Sequence, residues 1–452
     1  MSESRPLDSP QEPEPRLNLV HRIRAGVRKE RVLLENFAYL MTLQALNYLL
    51  PLLTVPYLVR VLGPEKFGLI AFAQAFAQYF VLVTDYGFNF SAPRDISIQR
   101  ENKAAVTEIF NTIMVIKVAA LVLGFCVLTA IVILVPKFRA DALIYYITFG
   151  SVLGNVLFPI WFFQGMERMK YITYLNLVSK IIFTVAIFIF VTGADDYLVV
   201  PFLSTVGSIV SGGLGFIIVL RDFGIRFGIP KVETVLKELR AGWGIFISTI
   251  AISLYTTSNV FILGLFAGNT VVGYFSAGER IIRASQGLLT PFAQAVYPRV
   301  SKLASTSRQE ALRFVRRCLG LIAPPMFVLS LCLFLFAAPI SNLVLGKQYQ
   351  ESIAVIRILA FLPFILGLAT VFANFFLLAF GYTRIWSSVI IGSSIVSVVG
   401  AFLFVYVFRM EHIGISVNLL LTEAIVLAFS WVMYHRLANR ESLAGTGLPL
   451  AM

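Results

Sequence analysis

Eight ionisable side chains interrupt sequence that is otherwise apolar: Asp85, Lys117, Lys180, Glu279, Arg280, Arg283, Arg357 and Glu423. Each would cost about 2.5–3.5 kcal/mol at the centre of a membrane-spanning helix, so each is a candidate for function. The cations suit an anionic group carried through a membrane. The acids Asp85, Glu279 and Glu423 could bind and release a proton or a sodium ion, which makes them ion-coupling candidates. Spacing places amides beside the charges. Gln74, Gln78 and Asp85 fall at i, i+4, i+11, Asn176 and Lys180 at i, i+4, and Glu279, Arg283 and Gln286 at i, i+4, i+7. Each set shares one helix stripe, which should face protein or water rather than lipid. Lys117, Lys180, Arg283, Gln74, Gln78 and Asn176 are therefore the candidate lining of a substrate cavity. Glu279 can also pair with Arg283 on its own helix. The two lysines have no acid nearby in sequence and lie close enough to a span end to snorkel out of the membrane.

Other chemistries lack their residues. No GxxxxGK[ST] loop occurs, so ATP hydrolysis by this chain is not expected. His21, His412 and His435 are too scattered to ligate a metal, and Cys126, Cys318 and Cys332 lack CxxC spacing and read as packing residues. No metal and no cofactor are expected beyond a coupling H+ or Na+.

The elements that position these groups must be membrane helices. The chain has 452 residues, 58% hydrophobic and 13% charged, far from the composition of a soluble globular protein. A disordered chain, a collagen and a soluble nucleic-acid binder are excluded. The net charge of +13 arises from Lys and Arg spread through short loops, which orient a membrane protein. Twelve apolar segments are long enough to span, at 36–59, 67–88, 109–135, 142–163, 171–192, 197–220, 242–266, 273–298, 314–336, 355–380, 385–408 and 411–435. With the N-terminus inside, about 26 of the 37 basic residues fall in the tails and even-numbered loops and about six in the odd-numbered loops, so both termini should be cytoplasmic. Residues 1–35 read as a disordered, Pro- and acid-rich tail followed by a basic amphipathic stretch suited to membrane lipids. The expected organisation is a first lobe at 36–220, a cytoplasmic linker loop at 221–241, a second lobe at 242–436 and a tail at 437–452.

The two halves repeat. At an offset of 205, Gly63 and Gly68 match Gly268 and Gly273, and Pro93-Arg94 matches Pro298-Arg299; at 216, Gly165 and Arg168 match Gly381 and Arg384. Each half holds an even number of spans, so the six-helix lobes should be related by a pseudo-twofold axis along the membrane normal, with a site between them. Arg94, Arg299, Arg168 and Arg384 mark equivalent loop positions. Tyr145-Tyr146 and Trp161-Phe162-Phe163, near span ends, read as interfacial aromatics.

Several of these segments carry a family signature. LLTVPYLVRVLGPEKFGLIAFAQAFAQYF (52–80), VTDYGFNFSAPRDIS (83–97), WFFQGMERMKYIT (161–173) and the stretch from Asn259 to Leu303 resemble the Wzx-type O-antigen and polysaccharide flippases. These share a superfamily with the multidrug and toxin extrusion (MATE) transporters and the lipid II flippase. The resemblance covers the first eight spans; the last four match in length and apolar pattern only. It implies an all-α, V-shaped integral membrane fold, a cationic central cavity and a location in a bacterial inner membrane. Its cargo would be an undecaprenyl-pyrophosphate-linked oligosaccharide for O-antigen or exopolysaccharide. A polysaccharide polymerase and a chain-length regulator would be candidate partners, and nucleic acid would not. Other classes are less well supplied. A membrane polymerase would want acids or histidines on a sizeable outer loop, where 337–354 offers Lys347 and Glu351. A drug or cation exporter would favour an acidic cavity. A lipid II flippase would carry two further spans.

Overall fold

The computed structural model describes the backbone of residues 19–287 and 289–444 and the side chains of most residues from 50 to 438; of the tails expected at 1–35 and 437–452, residues 1–18 and 445–452 lie outside the described residues. All regular structure among them is helical. The first half contains α1 (Leu19–Asp85), α2 (Phe88–Gln99), α3 (Lys103–Leu134), α4 (Pro136–Ala140), α5 (Ala142–Leu157), α6 (Ile160–Gly165), α7 (Met169–Phe190) and α8 (Val199–Asp222). The second contains α9 (Val232–Phe266), α10 (Asn269–Gln286), α11 (Leu289–Thr306), α12 (Arg308–Leu335), α13 (Ala337–Val344), α14 (Ser352–Leu359), α15 (Leu362–Ala369), α16 (Thr383–Phe402) and α17 (Glu411–Ala444). Each of the twelve apolar segments is mostly helical over its described residues. Nine helical stretches among the described residues are long and apolar enough to cross a membrane, or ten if a bent pair in α9 counts as one.

Several boundaries differ from the sequence expectation, each for a local reason. α1 is two helices joined at Gly63, whose φ of 70° and ψ of 171° leave helical space; a residue with a Cβ would be strained there. The segment predicted at 273–298 is not continuous, because α10 ends at Gln286 and α11 begins at Leu289. Pro291 then sits in the first turn of α11, where its missing N–H costs no hydrogen bond. The segment at 142–163 divides at Phe158-Pro159. The connection between α8 and α9, residues 223–231, is shorter than the 221–241 expected from the sequence. Helix α9 starts at Val232, and Val235 and Leu239, four residues apart, pack that extension onto an apolar cluster.

Of the aromatics assigned to an interfacial belt, Tyr145, Trp161, Phe162 and Phe163 belong to the core, and Tyr146 packs half-buried against it. Tyr145 is 3% exposed, and Trp161, Phe162 and Phe163 are fully buried. Phe110 of α3 packs on Trp161 and Phe162, and Tyr145 packs against Phe72, Phe76 and Phe138. An aromatic cluster has one composition whether it meets lipid headgroups or other helices, so sequence does not separate the two. Cys126 and Cys332 lie on outward surfaces and only Cys318 is buried, which corrects the packing assignment for the first two.

The second arm of α1 (64–85) packs along α10, and this contact joins the halves of the chain. A Cβ on Gly68 would meet the backbone of Asn269 and Gly273; a Cβ on Gly273 would meet the Pro64 carbonyl. Backbones this close require glycine on both sides. Pro64 and Gly68 differ from Asn269 and Gly273 by 205, so the contact is reciprocal: 64 meets 273 and 68 meets 269. Pro93 and Pro298 lie inside helices α2 and α11, with Arg94 and Arg299 exposed beside them.

Candidate functional site

Three neighbouring spaces share lining residues on α1 and α10. Between the halves, a cavity of about 350 Å³ is lined by Gln74 and Gln78 on α1, Thr257 on α9, and Ser276, Glu279, Arg280 and Arg283 on α10. Gln74 and Gln78 differ from Glu279 and Arg283 by 205. The same two repeat positions therefore line this cavity from both halves, as amides on one side and as an ion pair on the other. Arg283 donates from Nε and Nη2 to Glu279 Oε1 at 2.9 and 2.7 Å, the i, i+4 pair allowed by the spacing. Its side chain is 50% exposed, against 8% for Glu279. Arg280 donates to Gln74 Oε1 at 3.3 Å and lies 4.8 Å from the ring centre of Phe67. The structure adds Arg280 to the site, although the sequence stripe passes through its neighbour Glu279.

A groove of about 360 Å³ runs from the same arginines along the first arm of α1. Pro51, Leu52, Val55, Pro56, Ile281, Ala284 and Val344 make it apolar, and Arg280 and Arg283 are its charged lining. On the other side, Gln74 and Gln78 also line a cavity of about 570 Å³ within the first half. Asp85 closes the α1 stripe there. The rest of that wall comes from α5, α7 and α8 and is rich in hydroxyls and amides, among them Ser151, Asn155, Asn176, Ser204 and Ser208. Most hydroxyls bond a carbonyl of their own helix, as Ser208 does to Ser204 at 2.8 Å, and so keep lone pairs for a ligand. Asn155 Oδ1 is buried with no protein partner among the described residues. Asn176, Ser204, Ser208 and Ser211 continue into a space of about 260 Å³ that also touches Lys180.

Lys117 is placed differently from the expectation. It is 1% exposed, and its ammonium meets Asp85 Oδ1 at 2.8 Å, from α3 to the last residue of α1. The acid missing from its sequence neighbourhood is supplied 32 residues away. Lys117 thus reaches the large cavity only through Asp85, which is itself held by Asn89 Nδ2 at 3.1 Å. Glu423 is buried within α17 and lines none of these spaces. Arg168 precedes the first residue of α7 and Arg384 lies in the first turn of α16, both exposed and outside the cavities. No group of three or more His, Cys, Asp or Glu among the described residues could hold a metal ion.

Residues 33–304 match the family described as polysaccharide biosynthesis protein. A protein of Escherichia coli (strain K12) named "Putative O-antigen transporter" is 36% identical over 87% of this chain and 94% of its own length. A protein of the same name from Shigella dysenteriae is 28% identical over 87% and 98%. Among solved structures, the fold is similar to the lipid II flippase MurJ in an inward closed conformation, with a TM-score of 0.70, 13% identity and coverage of 88% of this chain and 87% of that one. It is also similar to an inward-facing multidrug resistance MATE family transporter of the MOP superfamily, at 0.64 and 15%, covering 88% and 96%. The fold is thus the all-α, multi-pass membrane fold of those transporters, and the chain belongs to the polysaccharide biosynthesis protein family.

Proposed function

We propose that the chain moves an undecaprenyl-pyrophosphate-linked oligosaccharide, an O-antigen or exopolysaccharide repeat unit, from the cytoplasmic to the periplasmic leaflet of a bacterial inner membrane. One observation carries this reading: an apolar groove, two arginines and a hydroxyl-lined cavity follow one another in that order. The cargo has the same order of parts: prenyl chain, pyrophosphate and sugar. In hydrocarbon the pyrophosphate and sugar hydroxyls would be left without partners. Arg283 and Arg280 neutralise the phosphates, the Ser, Thr, Asn and Gln side chains replace water around the sugar, and the chain stays on the apolar side. Lys180 meets the distal part of the head.

The repeat supports two six-helix lobes, twelve crossings and a pseudo-twofold axis through the α1–α10 contact, with both termini cytoplasmic. Rocking about that axis exposes the cavity to each side in turn. The lobes have diverged in chemistry. At the offset of 216, Ser204, Ser208 and Ser211 correspond to Leu420, Ala424 and Leu427, so this row of hydroxyls is peculiar to the first lobe. An inward flow of H+ or Na+ through Asp85, Glu279 or Glu423 resets the lobes.

The test is deletion in the native host, with surface polysaccharide and lipid-linked intermediates followed in each leaflet. Loss of polymer with intermediates held in the cytoplasmic leaflet is expected; unchanged polymer overturns the reading. In the deletion strain, Arg283→Gln is expected to lower polymer by about tenfold or more at equal membrane abundance, because a hydrogen bond to a charged group contributes about 1.5–3 kcal/mol. Lys180→Gln should have a smaller effect and Lys180→Arg the least. Wild-type polymer from Arg283→Gln would remove that arginine from the site. Ser204→Leu, which installs the second-half residue, should deplete polymer without lowering abundance, and normal polymer would move sugar recognition elsewhere.

A further inference from the structure

The first long helix of each half ends on a donor supplied by the other half. Lys137, on α4, directs its ammonium to the carbonyl of Gly264 and to those of Leu265 at 3.2 Å and Ala267 at 3.1 Å, at the C-terminus of α9. Gln348, in the turn Lys347–Tyr349, donates from Nε2 to the carbonyls of Val59 at 2.9 Å and Arg60 at 3.0 Å, where the first arm of α1 ends. The last carbonyls of a helix have no partner within it, so both donors satisfy groups that would otherwise turn to water. Val59 and Arg60 differ from Gly264 and Leu265 by 205. The donors differ by 211, between the repeat offsets of 205 and 216 found before and after this region. Each donor precedes a buried aromatic, Phe138 at 3% exposure and Tyr349 at 0%. Phe138 packs on Phe72 and Phe76, and Tyr349 on Tyr274. A reciprocal exchange of this kind, in which i meets j′ and j meets i′, is the signature of an interface built on a twofold.

We propose that Lys137 and Gln348 are the two halves of a twofold-related latch that holds the lobes together at this end, and that the lysine half is the stronger. The proposal rests on the reading that this end faces the periplasm and must open to release cargo. Opening it pulls α4 from α9 and the Gln348 turn from α1, so both sets of bonds break in the same motion. The halves are unequal in chemistry. An ammonium-to-carbonyl bond is charge-assisted and about twice as strong as a neutral one, and a cation at a helix C-terminus also meets the negative end of the helix dipole. An amide has neither advantage. Arg60, which donates to the Leu343 carbonyl, reinforces the weaker side.

The experiment places a single reporter cysteine at Ala71, 6% exposed, which lines the interlobe cavity just inside the Gly68–Gly273 contact. The full-length chain is used with its three native cysteines replaced by serine, and a membrane-impermeant maleimide is added from either face. From the periplasmic face, Lys137→Gln is expected to speed labelling by about tenfold and Gln348→Ala by about threefold. Gln348→Lys should slow it. Slowing separates a latch from a structural role, since a change that merely loosens the fold cannot close it further. Rates for Lys137→Gln within twofold of the parent, or acceleration by Gln348→Lys, overturn the latch. Acceleration confined to reagent on the cytoplasmic face leaves the latch standing and overturns the orientation. The assay needs no cargo, so it stands apart from the identity of the substrate.

Discussion

Gly273→Ala, the addition of one methyl group, is expected to lower surface polymer by more than tenfold in a strain that depends on this chain. A Cβ at this position falls within contact radius of the Pro64 carbonyl, and one at Gly68 meets the backbone of Asn269 and Gly273. Side chains can rotate away from an intruding methyl, but these neighbours are backbone on two helices, so the helices themselves must separate. Overpacking of this kind costs about 1–3 kcal/mol. All of that cost falls on the state in which α1 and α10 touch, so its population relative to an open state drops by up to about two orders of magnitude. The Ala71→Cys reporter should then label faster from the face that opens, at unchanged membrane abundance. Gly68→Ala should behave alike, because the contact is reciprocal. Gly268→Ala and Gly320→Ala are the controls, since a Cβ at either meets nothing within 4 Å. Wild-type polymer and labelling from Gly273→Ala would mean that the contact is not required during transport.

Those glycines are legible in the sequence, because a 205-residue repeat of Gly63, Gly68, Gly268 and Gly273 is visible by identity alone. The facing pairs Gln74/Gln78 and Glu279/Arg283 lie at the same offset, but no shared residue type marks them as equivalent. An amide and a charge are different letters, and only their common place on one cavity shows that the positions correspond. The helices themselves followed from apolar length. Their breaks did not, since the division after Leu157 depends on how α6 packs under α3. The hydroxyl-lined cavity was invisible for another reason. Ser204, Ser208 and Asn155 are ordinary in their own helices, and become a site only where α5, α7 and α8 converge, beside the Asn176 that its spacing from Lys180 singles out. Apolar periodicity reports which face of a helix is buried but not which helices meet there. The same gap hid the partner of Lys117, whose acid lies one helix away rather than one turn away.

That pair gives the other large effect, and the order of its variants is informative. Lys117 is 1% exposed and Asp85 17%, so the two are not equally able to lose their partner. Asp85→Asn leaves a buried ammonium facing a neutral amide. Breaking a buried ion pair from one side costs about 3–5 kcal/mol, and this variant should show most of it as lost membrane abundance and a lower Tm in detergent. Lys117→Met removes the buried charge and leaves Asp85 with Asn89 and access to the large cavity, so its loss should be smaller. The double variant Asp85→Asn/Lys117→Met has no unpaired charge and should recover abundance toward the parent. Its transport then separates the two roles open to Asp85. If the carboxylate only anchors α1 to α3, polymer returns with abundance. If Asp85 carries the coupling ion, the double variant is abundant, folded and inactive, because an amide cannot take up and release a proton or balance a sodium ion. A double variant as poorly expressed as Asp85→Asn alone would show that the cost does not come from the uncompensated lysine, and would remove the ion pair as its cause.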